Sequence, residues 1–255
     1  MNIAIYRLFD RLKYNPNYTR FPIVKATLFF LLIPSMIIAI NTNIYSPIVL
    51  TFVCLIIGYR DIGTFFNVKK YKFHKLMKIS IILFMISAVF SVISVKIMSY
   101  FNISDPQGIS ELILTDKVYF KMLTTLPFVA VGEEFLKLLV FISFFLLLVQ
   151  FSNNTRIFIA IILASFIFGH LHIFNYKLTA GIPLMIGAIP SFYFMLYYKS
   201  ILPLIIEHFL FDFFSLTLHT QYHEIVLVFL TSVGIIVMFW QIIKIPFDKR
   251  KSKNS

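Results

Sequence analysis

Residues 131–140 read VGEEFLKLLV, and this stretch places Glu133, Glu134 and Lys137 inside an apolar run. An ionised carboxylate in hydrocarbon is costly, so such residues persist in membrane helices mainly when they are paired, reached by water or used for chemistry. The stretch therefore predicts a polar site inside an apolar helix, provided that the helix lies in a membrane.

The composition of the chain favours a membrane location. Of the 255 residues, 59% are hydrophobic, 13% are charged and 31 are Phe, and the mean hydropathy is +0.88. A soluble domain of this length carries far more charge. The chain is therefore predicted to be an integral membrane protein, and its single cysteine, Cys54, excludes an intramolecular disulfide.

A helix needs about 20 mainly apolar residues to cross a bilayer. Eight segments meet this length, at roughly 22–41, 43–59, 79–101, 120–150, 157–175, 178–198, 200–219 and 225–243. The predicted fold is all-α, a polytopic integral membrane bundle of about eight transmembrane helices. No small-residue cleavage site follows the first segment, so we expect that helix to stay in the mature protein.

The basic residues predict how this bundle is oriented. They gather near the N-terminus, in the loop after the second span and in the tail (Arg7, Arg11, Lys13, Arg20; Lys69, Lys70, Lys72, Lys75, Lys78; Lys249, Arg250, Lys251, Lys253). By the positive-inside rule these regions face the cytoplasm. We therefore expect a multi-pass protein of the cell membrane with both termini cytoplasmic. The net charge of +12 then reflects topology and attraction to anionic lipid, and it needs no nucleic-acid partner.

Seven acidic and histidine side chains fall inside the predicted spans: Glu133, Glu134, Glu207, Asp212, His170, His172 and His208. A single residue of this kind is ordinarily satisfied by a neighbouring helix. A group of them on three nearby helices favours a functional site instead.

The spacing of these residues suggests how they pair. Lys137 follows Glu133 by four residues and Glu134 by three, so it can neutralise either carboxylate from the same helix face. Two adjacent carboxylates, one of them held ionised, are suited to general acid and base work. His208 and Asp212 are also four residues apart, so the carboxylate can orient the imidazole.

The fifth span carries a third group with helical spacing. Phe168 and His172 are four residues apart, and Asn175 lies about one turn further on. His170 points away from His172 on a regular helix and is a secondary candidate, as is Asn175. Glu207 is expected to face elsewhere than its neighbour His208 and to pair with another span or with water.

Together these motifs resemble those of the CPBP family of intramembrane proteases. EExxK at Glu133, FxxxH ending at His172 and HxxxD at His208 occur in the family's order between about residues 125 and 215. That family includes the CAAX prenyl endopeptidases and bacterial relatives linked to peptide processing and bacteriocin self-immunity. The resemblance implies a membrane domain with a cavity open to the bilayer. Its parts would be N-terminal spans (1–118), catalytic helices (119–220), and a last span with a basic tail (221–255).

The resemblance also implies roles for five positions, which match Glu133, Glu134, His172, His208 and Asp212. In the family's pattern the paired glutamates activate water and the FxxxH histidine assists. The last motif stabilises the oxyanion or completes the polar site. The family has been described both as metalloendopeptidases and as glutamic proteases. Two His and two Glu can supply zinc ligands, but HExxH is absent, so zinc stays open and we expect no tightly bound metal.

One position departs from the family's pattern. The usual first motif is EExxxR, and Leu138 stands where that arginine would be, with Lys137 one residue earlier. EExxK is instead typical of a neighbouring intramembrane protease family that cuts anti-sigma factors, whereas FxxxH and HxxxD fit CPBP. The sequence predicts Lys137 as the charge partner of the glutamates and leaves open whether it replaces the arginine.

The expected function is an intramembrane endopeptidase, most simply a bacterial one, that cleaves membrane-associated peptides or proteins with glutamate-activated water. A non-proteolytic scaffold or bacteriocin-immunity protein of the same family is one alternative. A proton-coupled transporter is another, because it too places ionisable residues in its spans, although we find no inverted repeats. The expected partners are a membrane peptide or protein and the lipid bilayer.

Overall fold

The computed structural model describes residues 22–34, 45–67, 70–100, 102, 115–172, 181–218, 220–228 and 232. Its main elements there are α1 (Pro22–Phe30), α2 (Ser46–Phe65), α3 (Phe73–Tyr100), α4 (Asp116–Leu147), α5 (Asn153–Leu171), α6 (Gly181–Tyr198) and α7 (Leu202–Leu218). No strand occurs in these ranges, so the all-α prediction is confirmed for this part of the chain. Asn175, the two basic termini and most of the predicted span 225–243 lie outside it.

Four of these helices are long and apolar enough to cross a membrane: α2, α3, α5 and α6. The protein is therefore a multi-pass membrane protein. Of the other long elements, α4 carries Glu133, Glu134 and Lys137 near its middle, and α7 is 17 residues long. The total of eight spans and the orientation of the termini stay predictions.

Two helices have ends that differ from the predicted spans, and in each case a polar residue forms a contact near that end. The second span was predicted to end at 59, but α2 continues to Phe65. Lys25 of α1 lies 2.6 Å from each Asp61 carboxylate oxygen, which satisfies this charge inside α2. The fifth span was predicted as 157–175, whereas α5 runs from Asn153 to Leu171, with the Ser152 hydroxyl capping its start.

The central helix is α4, which packs against α1, α2, α5 and α7. Its second half is apolar on nearly every side, so it is buried all round. Phe141 and Phe145 are completely buried there, and the Phe141 ring lies 6.2 Å from the Phe192 ring of α6. This packing places the glutamate pair inside the bundle.

The loop before α3 closes the C-terminal end of α6. The Lys70 ammonium donates hydrogen bonds to the carbonyls of Tyr198 and Lys199, the latter at 2.8 Å, and the Tyr71 hydroxyl donates to the Tyr198 carbonyl at 2.9 Å. The last carbonyls of a helix have no partner within it, and cations near them are favourable. Lys70 therefore acts as a C-cap supplied from another element.

We expect Lys70→Met to lower the free energy of unfolding by about 1 kcal/mol, because two helix-end carbonyls lose a charged donor at an exposed site. Thermal unfolding in detergent measures the change. Lys72→Met is the matched control, since it removes an exposed charge from the same loop. An equal loss in both variants would indicate that loop charge, rather than the cap, is what stabilises the protein.

Candidate active site

Glu133 lies between two imidazole rings that come from different helices. Its Oε2 is 3.6 Å from Nε2 of His172 at the end of α5 and 3.6 Å from Nε2 of His208 on α7. Residues that are far apart along the chain thus meet at one carboxylate. The structure brings the three motifs together.

Glu134 is held more tightly than Glu133. Its Oε1 forms an ion pair with Lys137 and lies 2.8 Å from Nδ1 of His208. Glu134 is 1% exposed and Lys137 is 5% exposed. A buried carboxylate in such surroundings is tolerable only with a charged partner and hydrogen bonds. The open question of which glutamate pairs with the lysine is therefore resolved in favour of Glu134.

Lys137 also contacts the second motif. Its ammonium lies 4.7 Å from the centre of the Phe168 ring, within range of a cation–π interaction. Leu138, at the position of the family's arginine, is completely buried in the hydrophobic core. The charge that contacts the glutamate pair from this part of α4 thus comes from Lys137, one residue before the family's arginine position.

Phe168 orients His172 as well. Nδ1 of His172 lies 2.8 Å from the Phe168 carbonyl oxygen, and the centres of the Phe168 and His172 rings lie 4.7 Å apart in an edge-on arrangement. A carbonyl oxygen only accepts, so Nδ1 donates the proton. This leaves Nε2 of His172 directed towards Glu133.

His208 has carboxylates near both of its ring nitrogens. Nδ1 faces Glu134, while Nε2 is 3.3 Å from Oδ2 of Asp212 and 3.6 Å from Glu133. The Asp212 side chain is 28% exposed, against 13% for His208 and 12% for Glu133. Among the five candidates, Asp212 is therefore the one at the accessible edge of the cluster.

Two further candidates make their hydrogen bonds outside this cluster. His170 stacks on the Phe166 ring at 3.9 Å and bonds through Nδ1 to the Phe166 carbonyl. Glu207 is 5% exposed, and its carboxyl group lies against Ser87 of α3. Both placements agree with the spacing argument, which pointed these residues away from the site.

The expectation of no tightly bound metal stays a prediction. In the part of the chain that the structure describes, no three His, Cys, Asp or Glu residues are grouped so that they could hold one ion. Glu134, one of the potential ligands, is already engaged by Lys137 and His208.

Residues 115–214 match the family model described as Rce1-like, type II CAAX prenyl endopeptidase. The chain carries a Rce1-like region. It begins just before α4 and ends within α7, so all five candidate residues lie inside it, and the recognition drawn from the motifs is confirmed. Searches of the curated proteins and of the solved structures found no match.

The sequence indicated no site residue outside the Rce1-like region. The structure places Thr51 of α2 beside α4, where its hydroxyl lies 3.0 Å from the carbonyl oxygen of Phe128. A hydroxyl in an apolar helix is no signal by itself, because such groups commonly bond to their own helix. Only the packing of α2 on α4 reveals this contact.

Proposed function

We propose that the protein is an intramembrane endopeptidase that cleaves membrane-associated peptides or proteins with water activated by Glu133. The observation that carries the proposal is the position of Glu133 Oε2, 3.6 Å from Nε2 of both His172 and His208. This separation exceeds that of a direct hydrogen bond, and polar groups at such distances are commonly bridged by water. A water beside these three atoms can bond to all of them.

The two glutamates are suited to different tasks. Glu134 is neutralised by Lys137 and bonded to His208, so it serves as a fixed anion that orients the histidine. Glu133 faces two imidazole nitrogens at the longer distance of 3.6 Å, so its Oε2 can also bond to a water beside them. A general base needs such a lone pair within reach of the water.

The proposed reaction is hydrolysis of a peptide bond. Glu133 takes a proton from water, and the resulting hydroxide attacks the scissile carbonyl carbon. When their rings are protonated, His172 and His208 each carry an N–H at Nε2 that can donate a hydrogen bond to the oxyanion, a contribution worth about 3 kcal/mol per donor in a water-poor site. The C–N bond then breaks, and the proton held by Glu133 passes to the leaving amine.

Asp212 has a supporting role in this scheme. Its carboxylate holds Nε2 of His208 at 3.3 Å, one turn away on α7. A carboxylate partner orients an imidazole and favours the protonated ring that can donate to developing negative charge. Asp212 thus prepares His208 for the oxyanion.

Two observations support the substrate class. The Rce1-like model is described as type II CAAX prenyl endopeptidase, and the site lies among the described helices, of which four are able to span a membrane. A peptide anchored in the bilayer reaches such a site more readily than a soluble one. Labelled membrane peptides, including some with CAAX-type ends, are therefore the substrates to test.

The test compares purified wild type, His172→Ala and His170→Ala in detergent on those peptides. We expect the wild type to cut, His172→Ala to lose about 100-fold or more in rate, and His170→Ala to stay active. His170 is a matched control because it lies two residues away on α5 and outside the cluster. Incubation with a chelator is expected to leave cleavage unchanged, and a loss there would point to a metal-dependent route.

Another outcome would favour the scaffold or immunity role. In that case the folded wild type cuts none of the peptides, and cells that lack the protein show a defect that a Glu133→Ala gene still corrects. Such a result would contradict the endopeptidase proposal.

A further inference from the structure

Helix α2 lies outside the Rce1-like region, yet it packs against α4 beside the glutamate pair. The contact is made by Thr51, which is 5% exposed. Its Oγ1 lies 3.0 Å from the carbonyl oxygen of Phe128 on α4 and 2.9 Å from that of Pro47 on its own helix. The single hydroxyl proton is shared between these two carbonyls, and its bond to Phe128 links the two helices just over one turn before Glu133.

The close approach of α2 depends on a glycine. A Cβ atom at Gly132 would lie 2.8 Å from Oγ1 of Thr51 and 3.4 Å from the carbonyl oxygen of Pro47. Real Cβ atoms essentially never come within 3.0 Å of a neighbour. Gly132 immediately precedes Glu133, so the contact with Thr51 is made at the base of the catalytic pair.

This contact matters because α4 contains Pro127. Proline donates no backbone hydrogen bond and crowds the carbonyl four residues earlier, so a helix bends most easily there. The segment 128–134, which begins directly after Pro127, carries both glutamates. A small rotation of this segment would move Glu133 away from the point that is 3.6 Å from both histidine nitrogens.

We propose that Thr51 is a positioning residue that holds the segment 128–134 of α4, and with it Glu133, in register with His172 and His208. The hydroxyl fixes the first carbonyl after the proline, and Gly132 lets α2 come close enough for that bond. The kinetic part of this inference rests on the proposed function. The geometric part does not.

The kinetic test uses Thr51→Val, which keeps the shape of the side chain and replaces the hydroxyl with a methyl group that cannot form hydrogen bonds. We expect kcat to fall about fivefold with KM unchanged, as for the loss of one hydrogen bond that aligns a base. Thr51→Ser should restore kcat. Thr64→Val is the matched control, because Thr64 lies on the same helix and donates to the carbonyl of Asp61, one turn back in α2, at 2.7 Å.

A double-mutant cycle tests the steric part. Gly132→Ala alone should lower kcat more than Thr51→Val, because the new methyl group meets the Thr51 hydroxyl. In a Thr51→Ala background the nearest remaining neighbour is the Pro47 carbonyl at 3.4 Å. Gly132→Ala should then cost much less, which is the non-additivity expected for residues in contact.

Histidine ring signals give a readout that needs no activity. In ¹⁵N-histidine-labelled protein, Thr51→Val should shift the His172 and His208 signals and leave that of His170 in place, while Thr64→Val should shift none of the three. His172→Ala and His208→Ala assign the two site signals. If the signals shift as expected but the wild type cuts no peptide, the endopeptidase proposal fails and the positioning role stands. Unchanged ring signals in Thr51→Val, or equal shifts in Thr64→Val, would overturn the inference.

Discussion

Glu133→Gln is expected to lower kcat for peptide cleavage about 1000-fold, which is within the range for loss of a general base. The amide keeps the size and hydrogen-bonding reach of the side chain, but it cannot accept the proton of the attacking water. The histidines touch Glu133 only at 3.6 Å, so the folded structure should tolerate the change. Initial rates on a cleaved peptide and thermal unfolding in detergent measure the two effects separately.

The matched control is Glu207→Gln. Glu207 is also a buried carboxyl group and precedes His208 in the chain, but it lies against Ser87 of α3. This variant should keep most of the activity. If Glu133→Gln stays active while Glu134→Gln is dead, the roles assigned to the two glutamates are reversed.

Lys137→Met is expected to destabilise the protein by about 3–5 kcal/mol, the usual cost of removing one partner from a buried ion pair. The substitution leaves the carboxylate of Glu134, which is 1% exposed, without its cation. The Met side chain can still pack against Phe168, so the loss reports the charge rather than a cavity. Thermal or denaturant unfolding in detergent gives the free energy.

Two companion variants separate charge from packing. Lys137→Arg keeps a cation and should retain most of the stability. The double variant Lys137→Met with Glu134→Gln should recover much of what the single variant loses, because no uncompensated charge remains buried. A single Lys137→Met protein as stable as the wild type would contradict this prediction, because it would show that Glu134 does not need the lysine charge to remain buried.

Much of the site could be predicted from the sequence because it depends on helical spacing. Residues three or four apart share a helix face. The reach of Lys137 to the glutamate pair, the pairing of His208 with Asp212, and the Phe168 carbonyl that holds His172 therefore follow from local geometry. The turning of His170 away from the site follows in the same way.

The contacts between helices could not be predicted in this way. The meeting of Glu133 with two histidines, and the bond from His208 to Glu134, depend on how α4, α5 and α7 cross. The sequence also left open which glutamate would hold Lys137. That choice depends on His208 and Phe168, which reach the pair from two other helices.

The sequence by itself determined that this protein is an apolar, helical membrane protein with ionisable residues inside its helices and a Rce1-like order of motifs. Composition and helical periodicity are local properties of the sequence, so they do not depend on how the helices pack against one another. Only the tertiary structure decided the different partners of Glu133 and Glu134, the ion pair of Asp61 with Lys25, and the contact of Thr51 with the Phe128 carbonyl of α4. Those features depend on side-chain packing between helices, which is set by the whole bundle at once.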